Sequence, residues 1–389
     1  MQEIKCDILI CGGGLAGLSL LYRAMKSGIW LQEQITVVDR SEKQENDKTW
    51  SFWKKDKVDF EEIIYHQWDN LYFFSHAGKK IHLQTGGYTY NSIRSIDFYQ
   101  YVLTYLHQCS NITFVKADIK EISSSEEACR LVTDTHVYTA KYLFNSIYHA
   151  PVPGKDEQYF MQHFKGWKIK TDAAIPPVSD AYLMDFRTGQ EHGTTFFYTL
   201  PLAADELFVE YTLFTKSLLP LEEYDRKISA YLSEILKIDS YEVLEEEFGI
   251  IPMTDHVFER FDHNIVHIGT AGGDTRASTG YTFINTQKTI SKILSSYKQD
   301  GHPFFKRENT LLKHQLYDTT LLNVLDRGQY QGHQLFSDLF SKSPAYLIFP
   351  FLDAEATITQ DMQIMKSLRI MPFLRSFSKA VLHKVSGKL

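Results

Sequence analysis

The sequence predicts an α/β fold in which a parallel sheet with a glycine-rich turn is joined to an antiparallel sheet and a helical C-terminal part. An apolar run at residues 8–10 leads directly into Gly12, Gly14 and Gly17, and a helical pattern of apolar residues follows. A second apolar run ends on Asp39, 22 residues after Gly17. This order of strand, glycine turn, helix, strand and acid indicates a Rossmann-like fold.

The same residues predict a dinucleotide site. Glycines at positions 12, 14 and 17 let backbone N–H groups approach a pyrophosphate closely, and the N-terminus of the following helix favours an anion. A carboxylate at Asp39, directly after the second strand, is placed to bind a ribose hydroxyl.

Composition narrows the function classes. The net charge of −7 argues against a nucleic-acid partner, which would favour a basic protein. Four cysteines fall in no CxxC pair, so neither a disulfide scaffold nor a metal site is expected. The chain begins with its first strand and no apolar run reaches transmembrane length, so we expect a cytoplasmic protein. Tyr, Phe and Trp make up 14% of the residues, which fits either a large core or an apolar pocket lined with rings.

The middle of the chain is strand-rich. Alternating residues 69–90 predict antiparallel strands inserted into the nucleotide domain, and Arg94 opens the next helix. Arg94 is placed either to reach a phosphate or to be an ordinary surface arginine. Residues 162–212 predict a second, mostly antiparallel sheet, in which Glu210 interrupts an apolar strand. A solvent-facing acid is the ordinary interpretation, whereas a buried one would have to be paired or protonated.

A second glycine-rich junction follows a buried strand near residue 265. It contains Gly269, Gly272, Gly273 and Gly280 and precedes a predicted helix. Two such junctions are how FAD-binding folds complete their site, the first at the pyrophosphate and the second near the ribityl chain and the flavin.

We therefore expect three regions. Residues 1–160 and 249–300 would form a discontinuous FAD-binding domain, residues 161–248 the sheet of a substrate domain, and residues 301–389 a helical C-terminal region.

The C-terminal tail combines basic and apolar residues. No acidic residue follows Asp361, and the basic residues there are Lys366, Arg369, Arg375, Lys379, Lys384 and Lys388. The tail predicts either peripheral association with the inner face of the membrane or a plain packing helix.

Several motifs together resemble the bacterial lycopene beta-cyclases, which close the ends of linear carotenoids. The matching stretches are residues 12–17, 49–53, 93–95, 162–167, 183–187, 208–212, 249–253, 268–273, 278–281, 317–322 and 351–353. The glycine turn is general among flavoproteins, whereas the MDFR and STGY stretches are specific. The family often carries a second acid after the first in its acidic strand motif. Here that position is Tyr211, so only Glu210 inherits the essential carboxylate.

The resemblance implies a glutathione-reductase-like flavoprotein fold and an isomerase of the intramolecular lyase class. Its substrates would be lycopene and related carotenoids, converted first to gamma-carotene and then to beta-carotene. Reduced FAD would be the active cofactor, with NAD(P)H as the electron source and no net redox change. Glu210 would protonate the terminal alkene, with Asp185 as the next candidate for the acid.

Two other functions share these features. An FAD-dependent monooxygenase or prenyl reductase would have the same nucleotide site and an apolar pocket, but would consume NAD(P)H with each product. A carotenoid-binding protein without catalysis would leave Glu210 dispensable. The sequence leaves the oligomeric state and the number of cyclised ends open.

Overall fold

The computed structural model describes residues 2–125, 127–154, 157–306 and 310–386. Within these ranges, the strands are β1 (Gln2–Lys5), β2 (Ile8–Cys11), β3 (Ile35–Asp39), β4 (Thr49–Lys54), β5 (His66–Trp68), β6 (Asn70–Phe74), β7 (Lys80–His82), β8 (Thr89–Arg94), β9 (Ile112–Lys116), β10 (Ile119–Ser124), β11 (Cys129–Thr133), β12 (His136–Ala140), β13 (Tyr142–Asn145), β14 (Tyr159–Lys170), β15 (Asp180–Asp185), β16 (Thr194–Pro201), β17 (Glu206–Thr215), β18 (Glu242–Thr254), β19 (Phe261–Asp262) and β20 (Ile265–His267). The helices are α1 (Leu15–Lys26), α2 (Ser95–Leu106), α3 (Leu221–Ala230), α4 (Phe283–Asp300), α5 (Thr310–Asp326), α6 (Gly332–Lys342), α7 (Ala345–Leu352), α8 (Ile358–Ser367) and α9 (Ile370–Ser386). A π-helical turn, Tyr231–Leu236, extends α3.

A six-stranded sheet of order β19-β20-β13-β2-β3-β9 forms the nucleotide-type part of the fold. Strand β2 pairs in parallel with β3 and β13, and all four of its residues are buried, as is typical of a parallel strand covered on both faces. Gly12 follows the carboxyl end of β2, the edge at which such sheets bind ligands. The predicted α/β, Rossmann-like class is confirmed.

The second large sheet has seven strands in the order β18-β14-β17-β16-β15-β6-β7. All its neighbouring pairs are antiparallel except β15 with β6. It therefore combines strands from residues 159–254 with a hairpin from residues 70–82. The two smaller sheets have the orders β1-β12-β11-β10 and β4-β8-β5.

The two faces of the seven-stranded sheet pack against different helices, as the residues of β17 illustrate. Leu207, Val209, Tyr211 and Leu213 are fully buried in one cluster with α3 and its π-helical extension. Because successive strand residues point to opposite faces, Glu210 lies on the other face. On that other face, α6 packs against β16.

The C-terminal helices α6 and α7 join the sheets through aromatic contacts. Phe340 of α6 stacks on Phe73 of β6, with ring centroids 4.9 Å apart. At the end of α7, Phe349 stacks on Trp53 of β4, and the indole N–H of Trp53 donates to Asp353. In the described part of the chain, no helix is both long enough and apolar enough to cross a bilayer.

Helices α1 and α4, which follow the two glycine junctions, are held together by polar contacts. Arg23 of α1 donates to the backbone oxygen of Gln287 at 2.9 Å and to its side-chain oxygen at 3.0 Å. Gln287 in turn donates to the hydroxyl of buried Ser19 at 3.0 Å. The two junctions therefore belong to one packed unit.

We predict that Gly17→Ala destabilises the protein, because a Cβ at this position would lie 2.1 Å from the backbone oxygen of Gly12. Overpacking of this kind costs about 1–3 kcal/mol, more than the helix propensity gained. Chemical denaturation measures the loss in the free energy of unfolding. Gly14→Ala is the matched control, because a Cβ there meets no atom within 4 Å. Equal stability of the two variants would contradict the close approach.

Candidate active site

A long open cleft of about 820 Å³ runs between the two glycine junctions. Its walls include Gly12, Gly14 and Asp39 from the first junction and Gly269 and Thr270 from the second. Ligand pockets are usually roughly 300–1,000 Å³, so this cleft has room for an extended ligand.

The first junction is shaped to accept an anion. Gly12 has a φ of +93°, a backbone conformation that favours glycine. Since no protein atom lies within 4 Å of a Cβ built on Gly14, a side chain there would project into open space. The N-terminus of α1 begins at this turn with no acidic residue in its first turn, so its dipole favours a negative group.

Asp39 both lines the cleft and fixes the glycine turn. Its Oδ2 accepts the backbone N–H of Gly13 at 2.6 Å, and its Oδ1 accepts that of Ser41 at 2.7 Å. The ammonium of Lys43 lies 3.1 Å from Oδ1. The carboxylate is therefore ordered before any ligand arrives.

The second junction packs directly against the first. Gly269 has a φ of +61°, and a Cβ on it would lie 2.9 Å from the Cβ of Ala16 in α1. Its N–H donates to buried Asp274 at 2.7 Å. Gly272 and Gly273 lie behind the wall of the cleft, where a Cβ on Gly272 would meet a carbonyl oxygen at 2.2 Å. Glycine at these positions therefore shapes the wall.

Arg94 and Gly280, also predicted as cofactor residues, line a second cavity instead. The guanidinium of Arg94 pairs with Asp97 at 2.7 Å and lies over the ring of Tyr65. Gly280 has a φ of +72° and packs against the side chain of Gln162. A cofactor role for Arg94 and Gly280 stays a prediction.

The second cavity has a volume of about 160 Å³ and a strongly aromatic lining. Glu210 lines it from β17. The aromatic residues of its wall are Trp50, Tyr65, Trp68, Tyr90, Phe164, Tyr198, Phe208, Tyr281 and Phe283. Part of the high aromatic content of the sequence thus lines this pocket.

Glu210 is held in a state that favours its neutral form. Burial among the rings raises the pKa of Glu210 to about 8, and the nearby Glu247 carboxylate adds to that increase. The hydroxyl of Thr212 donates to the Oε1 of Glu210 at 2.6 Å and offsets part of it. At neutral pH the side chain is therefore mostly a carboxylic acid.

Glu247, on β18, lines both the cleft and the aromatic cavity. Its Oε1 accepts the backbone N–H of Thr49 at 3.0 Å. Burial raises the pKa of Glu247 to about 7. The two preceding glutamates differ from Glu247 in forming ion pairs: Glu245 pairs with Lys168, and Glu246 pairs with Lys165. No cation among the described residues lies within ion-pair distance of Glu247.

Asp185 is not part of this cavity. It is fully buried and pairs with Arg187, and it accepts the hydroxyl of Tyr231 at 2.6 Å. Tyr231 belongs to the cluster on the opposite face of the sheet. Its contacts give Asp185 a structural role on that opposite face.

Sequence reasoning missed Glu247 and the tyrosines of the wall. Residues 245–247 are three consecutive glutamates, a pattern typical of a solvated face. Only the pairing of the strands shows that the environment of Glu247 differs from that of Glu245 and Glu246. Tyr90, Tyr198 and Tyr281 come from three distant segments and share no spacing that could have indicated one wall.

A family model described as lycopene cyclase protein matches residues 7–378. The chain belongs to the lycopene cyclase family. The aromatic cavity and the cleft are therefore features of a lycopene cyclase family member. No curated protein sequence matches the chain at the threshold applied.

Solved structures with low sequence identity share the fold of this lycopene cyclase family member. A geranylgeranyl bacteriochlorophyll reductase-like protein from Thermoplasma acidophilum aligns with a TM-score of 0.60 at 9% identity, over 97% of this chain and 100% of that one. A flavoprotein/dehydrogenase from Cytophaga hutchinsonii aligns with a TM-score of 0.62 at 13% identity, over 98% and 100%. The halogenase PltM, solved in complex with FAD, aligns with a TM-score of 0.56 at 11% identity, over 88% and 78%. The fold is that of FAD-dependent flavoproteins.

Proposed function

We propose that the protein is a flavin-dependent lycopene beta-cyclase that forms beta-ionone rings at the ends of lycopene, by way of gamma-carotene to beta-carotene. The observation that carries the proposal is Glu210, a carboxylic acid in an aromatic cavity that shares walls with the dinucleotide cleft. Membership of the lycopene cyclase family supports the substrate class.

Glu210 supplies the proton that starts the reaction. Transfer to the terminal alkene leaves a tertiary cation, which a neighbouring double bond of the polyene captures to close the ring. A proton donor to an alkene has to be neutral, and the raised pKa of the partly buried Glu210 favours that form. Loss of a proton from the ring completes the isomerisation.

The aromatic wall would stabilise the cation. Tyr90 and Tyr198 are parallel, with centroids 6.4 Å apart, and Tyr198 lies opposite Glu210 in the pairing of β16 with β17. Phe208 is two residues from Glu210 on the same face. An aromatic face stabilises a desolvated cation by about 2 kcal/mol or more.

The residues of the cleft fit FAD. Gly12 and Gly14 offer a turn without side chains to the pyrophosphate, and Asp39 is placed for the ribose. The cleft and the Glu210 cavity share Trp50 and Thr282 in their walls, so the far end of a bound dinucleotide would reach the acid. Reduced FAD, supplied with electrons by NAD(P)H, would contribute negative charge next to the cation.

A prenyl reductase is the second candidate, because one structural neighbour is a geranylgeranyl bacteriochlorophyll reductase-like protein. Such an enzyme would consume one NAD(P)H for each double bond reduced, whereas a cyclase uses it only to prime the flavin. Counting NAD(P)H consumed against product formed separates the two.

We also propose that helices α8 and α9 dock on an anionic membrane surface, on the cytoplasmic side. Ile358, Met362 and Met365 form one exposed stripe along α8, and Ile370 and Leu374 are 59% and 55% exposed on α9. Arg369 and Arg375 are exposed beside the α9 stripe. Apolar residues next to basic ones match an anionic bilayer, where a carotenoid substrate would reside. The side chains of Lys379 and Lys384 and residue Lys388 lie outside the described residues.

Gly14→Val should remove the flavin while the protein stays folded. The Cβ of the new side chain meets no protein atom within 4 Å, and the side chain occupies the space expected for the pyrophosphate. The measurement is the flavin absorbance of the purified protein, with circular dichroism as the check on folding. A folded variant with the flavin content of wild type would show that FAD binds elsewhere.

Glu210→Gln should keep the fold and FAD but lose cyclisation by at least about 10²-fold, because it removes the acidic proton. Glu210→Asp should also be impaired, since the shorter side chain withdraws the donor from the alkene. Wild-type activity should fall as pH rises through about 8, where Glu210 loses its proton. Pigment chromatography of cells that accumulate lycopene measures conversion, and Glu206→Gln on the same strand is the control. Near wild-type conversion by Glu210→Gln would assign the acid to another residue.

Replacing Ile370 and Leu374 together by glutamate should abolish flotation of the protein with anionic liposomes. The double variant removes apolar area and adds negative charge on the same exposed stripe. Neutral liposomes and high salt should weaken flotation of the wild type. If the double variant floats as well as wild type does, the stripe is not the docking surface.

A further inference from the structure

We propose that Glu247 is the second catalytic carboxylate, the base that accepts the proton released from the newly closed ring. The proposal rests on the function proposed above and adds to it the residue that ends the reaction. The residue that follows Glu210 on its own strand, Tyr211, is buried on the opposite face of the sheet, so a second acid has to come from another strand.

The pairing of three strands brings the two acids to one face. Gly166 of β14 lies opposite Glu210 of β17 and also opposite Glu247 of β18. Residues that are directly opposite in paired strands share a face, so both glutamates project to the same side. Adjacent strands are about 4.8 Å apart, which separates the two backbones by roughly 9.6 Å. A substrate ring that sits above this interval would reach both carboxyl groups.

Gly166 keeps the space between the acids free of its own side chain. A Cβ on Gly166 would lie 2.4 Å from the Cζ of Phe208. The ring of Phe208 therefore lies over Gly166, where it presents an aromatic surface between donor and acceptor. Both glutamates line the same cavity as this ring.

Glu247 also has the contacts expected of a base. The backbone N–H of Thr49 donates to the Oε1 of Glu247, and this hydrogen bond orients the carboxylate. The adjacent glutamates are engaged with lysines, whereas no described cation forms an ion pair with Glu247. The nearby Lys48 favours the charged form of Glu247, and the nearby Asp47 opposes it. Burial raises the pKa of both carboxyl groups, and the charge of Glu247 raises that of Glu210 further, so near neutral pH the pair favours holding one proton between them.

With Glu210 as the acid and Glu247 as the base, the protons and electrons of the reaction balance. The π electrons of the terminal alkene take the proton of Glu210, which becomes a carboxylate, and leave a tertiary cation. The π electrons of the neighbouring double bond form the ring carbon–carbon bond and move the cation into the ring. The C–H bond breaks at the ring carbon that bears the polyene chain, next to the cationic carbon; its electrons form the ring double bond, and Glu247 takes the proton. Return of one proton from Glu247 to Glu210 restores the starting state without any oxidant or reductant.

The test is Glu247→Gln in the FAD-loaded protein, since the amide keeps the hydrogen-bond acceptor for Thr49 but cannot take a proton. We expect cyclisation to fall by about 10²-fold or more. Because proton loss becomes the slow step, lycopene deuterated at the carbon that loses its proton should show a larger primary isotope effect with the variant than with wild type. Products with the ring double bond in another position should also increase. Glu242→Gln, at the exposed start of the same strand, is the matched control.

Two results would overturn the role of Glu247. One is a variant that cyclises lycopene at close to the wild-type rate. The other is a slow variant with an unchanged isotope effect and unchanged ring type, which would indicate a purely structural contribution. If wild type itself forms no cyclic carotene, the proposed function fails, and this outcome is distinct from both.

Discussion

The register between β17, β14 and β18 is the constraint on which the candidate chemistry depends. A shift of one residue in either pairing would turn Glu210 or Glu247 away from the cavity, because side chains alternate between faces. The long ladders of β14 with both neighbours resist such a shift. The buried odd-numbered residues of β17 add to this, since a slip would place Glu210 and Thr212 in the apolar cluster that those residues fill.

The second constraint is the continuity of the cleft with the aromatic cavity. Thr49, Trp50, Phe164 and Thr282 belong to both walls, so a ligand in the cleft and a substrate in the cavity would meet across a shared boundary. These residues come from the inserted strand β4, from the antiparallel sheet and from the start of α4. The boundary therefore exists only when all three parts of the chain are assembled.

The sequence predicted the parts of the fold that local patterns encode. The glycine turn, the parallel strands and the acid at Asp39 have fixed spacings because each serves one short strand–helix unit. Glu210 could be singled out because an acid in an apolar strand is unusual. Glu247 could not, because its environment depends on pairing between strands far apart in sequence, and a run of three glutamates favours a solvated interpretation. Arg94 and Gly280 show a related limit, since proximity to a motif in sequence does not decide which of two neighbouring cavities a residue lines.

The contact between Arg23 and Gln287 has a consequence for how the chain acquires its structure, since it closes a loop of 264 residues. During synthesis, the first glycine turn leaves the ribosome long before α4 exists to complete the cleft. Contacts of such high sequence separation form slowly, because closing a long flexible loop costs conformational entropy. The antiparallel sheet lies inside that loop, so folding of the sheet would shorten the flexible chain that the contact has to close. Cofactor uptake would then wait for α4, and a chain truncated before α4 would leave α1 without the helix that it packs against.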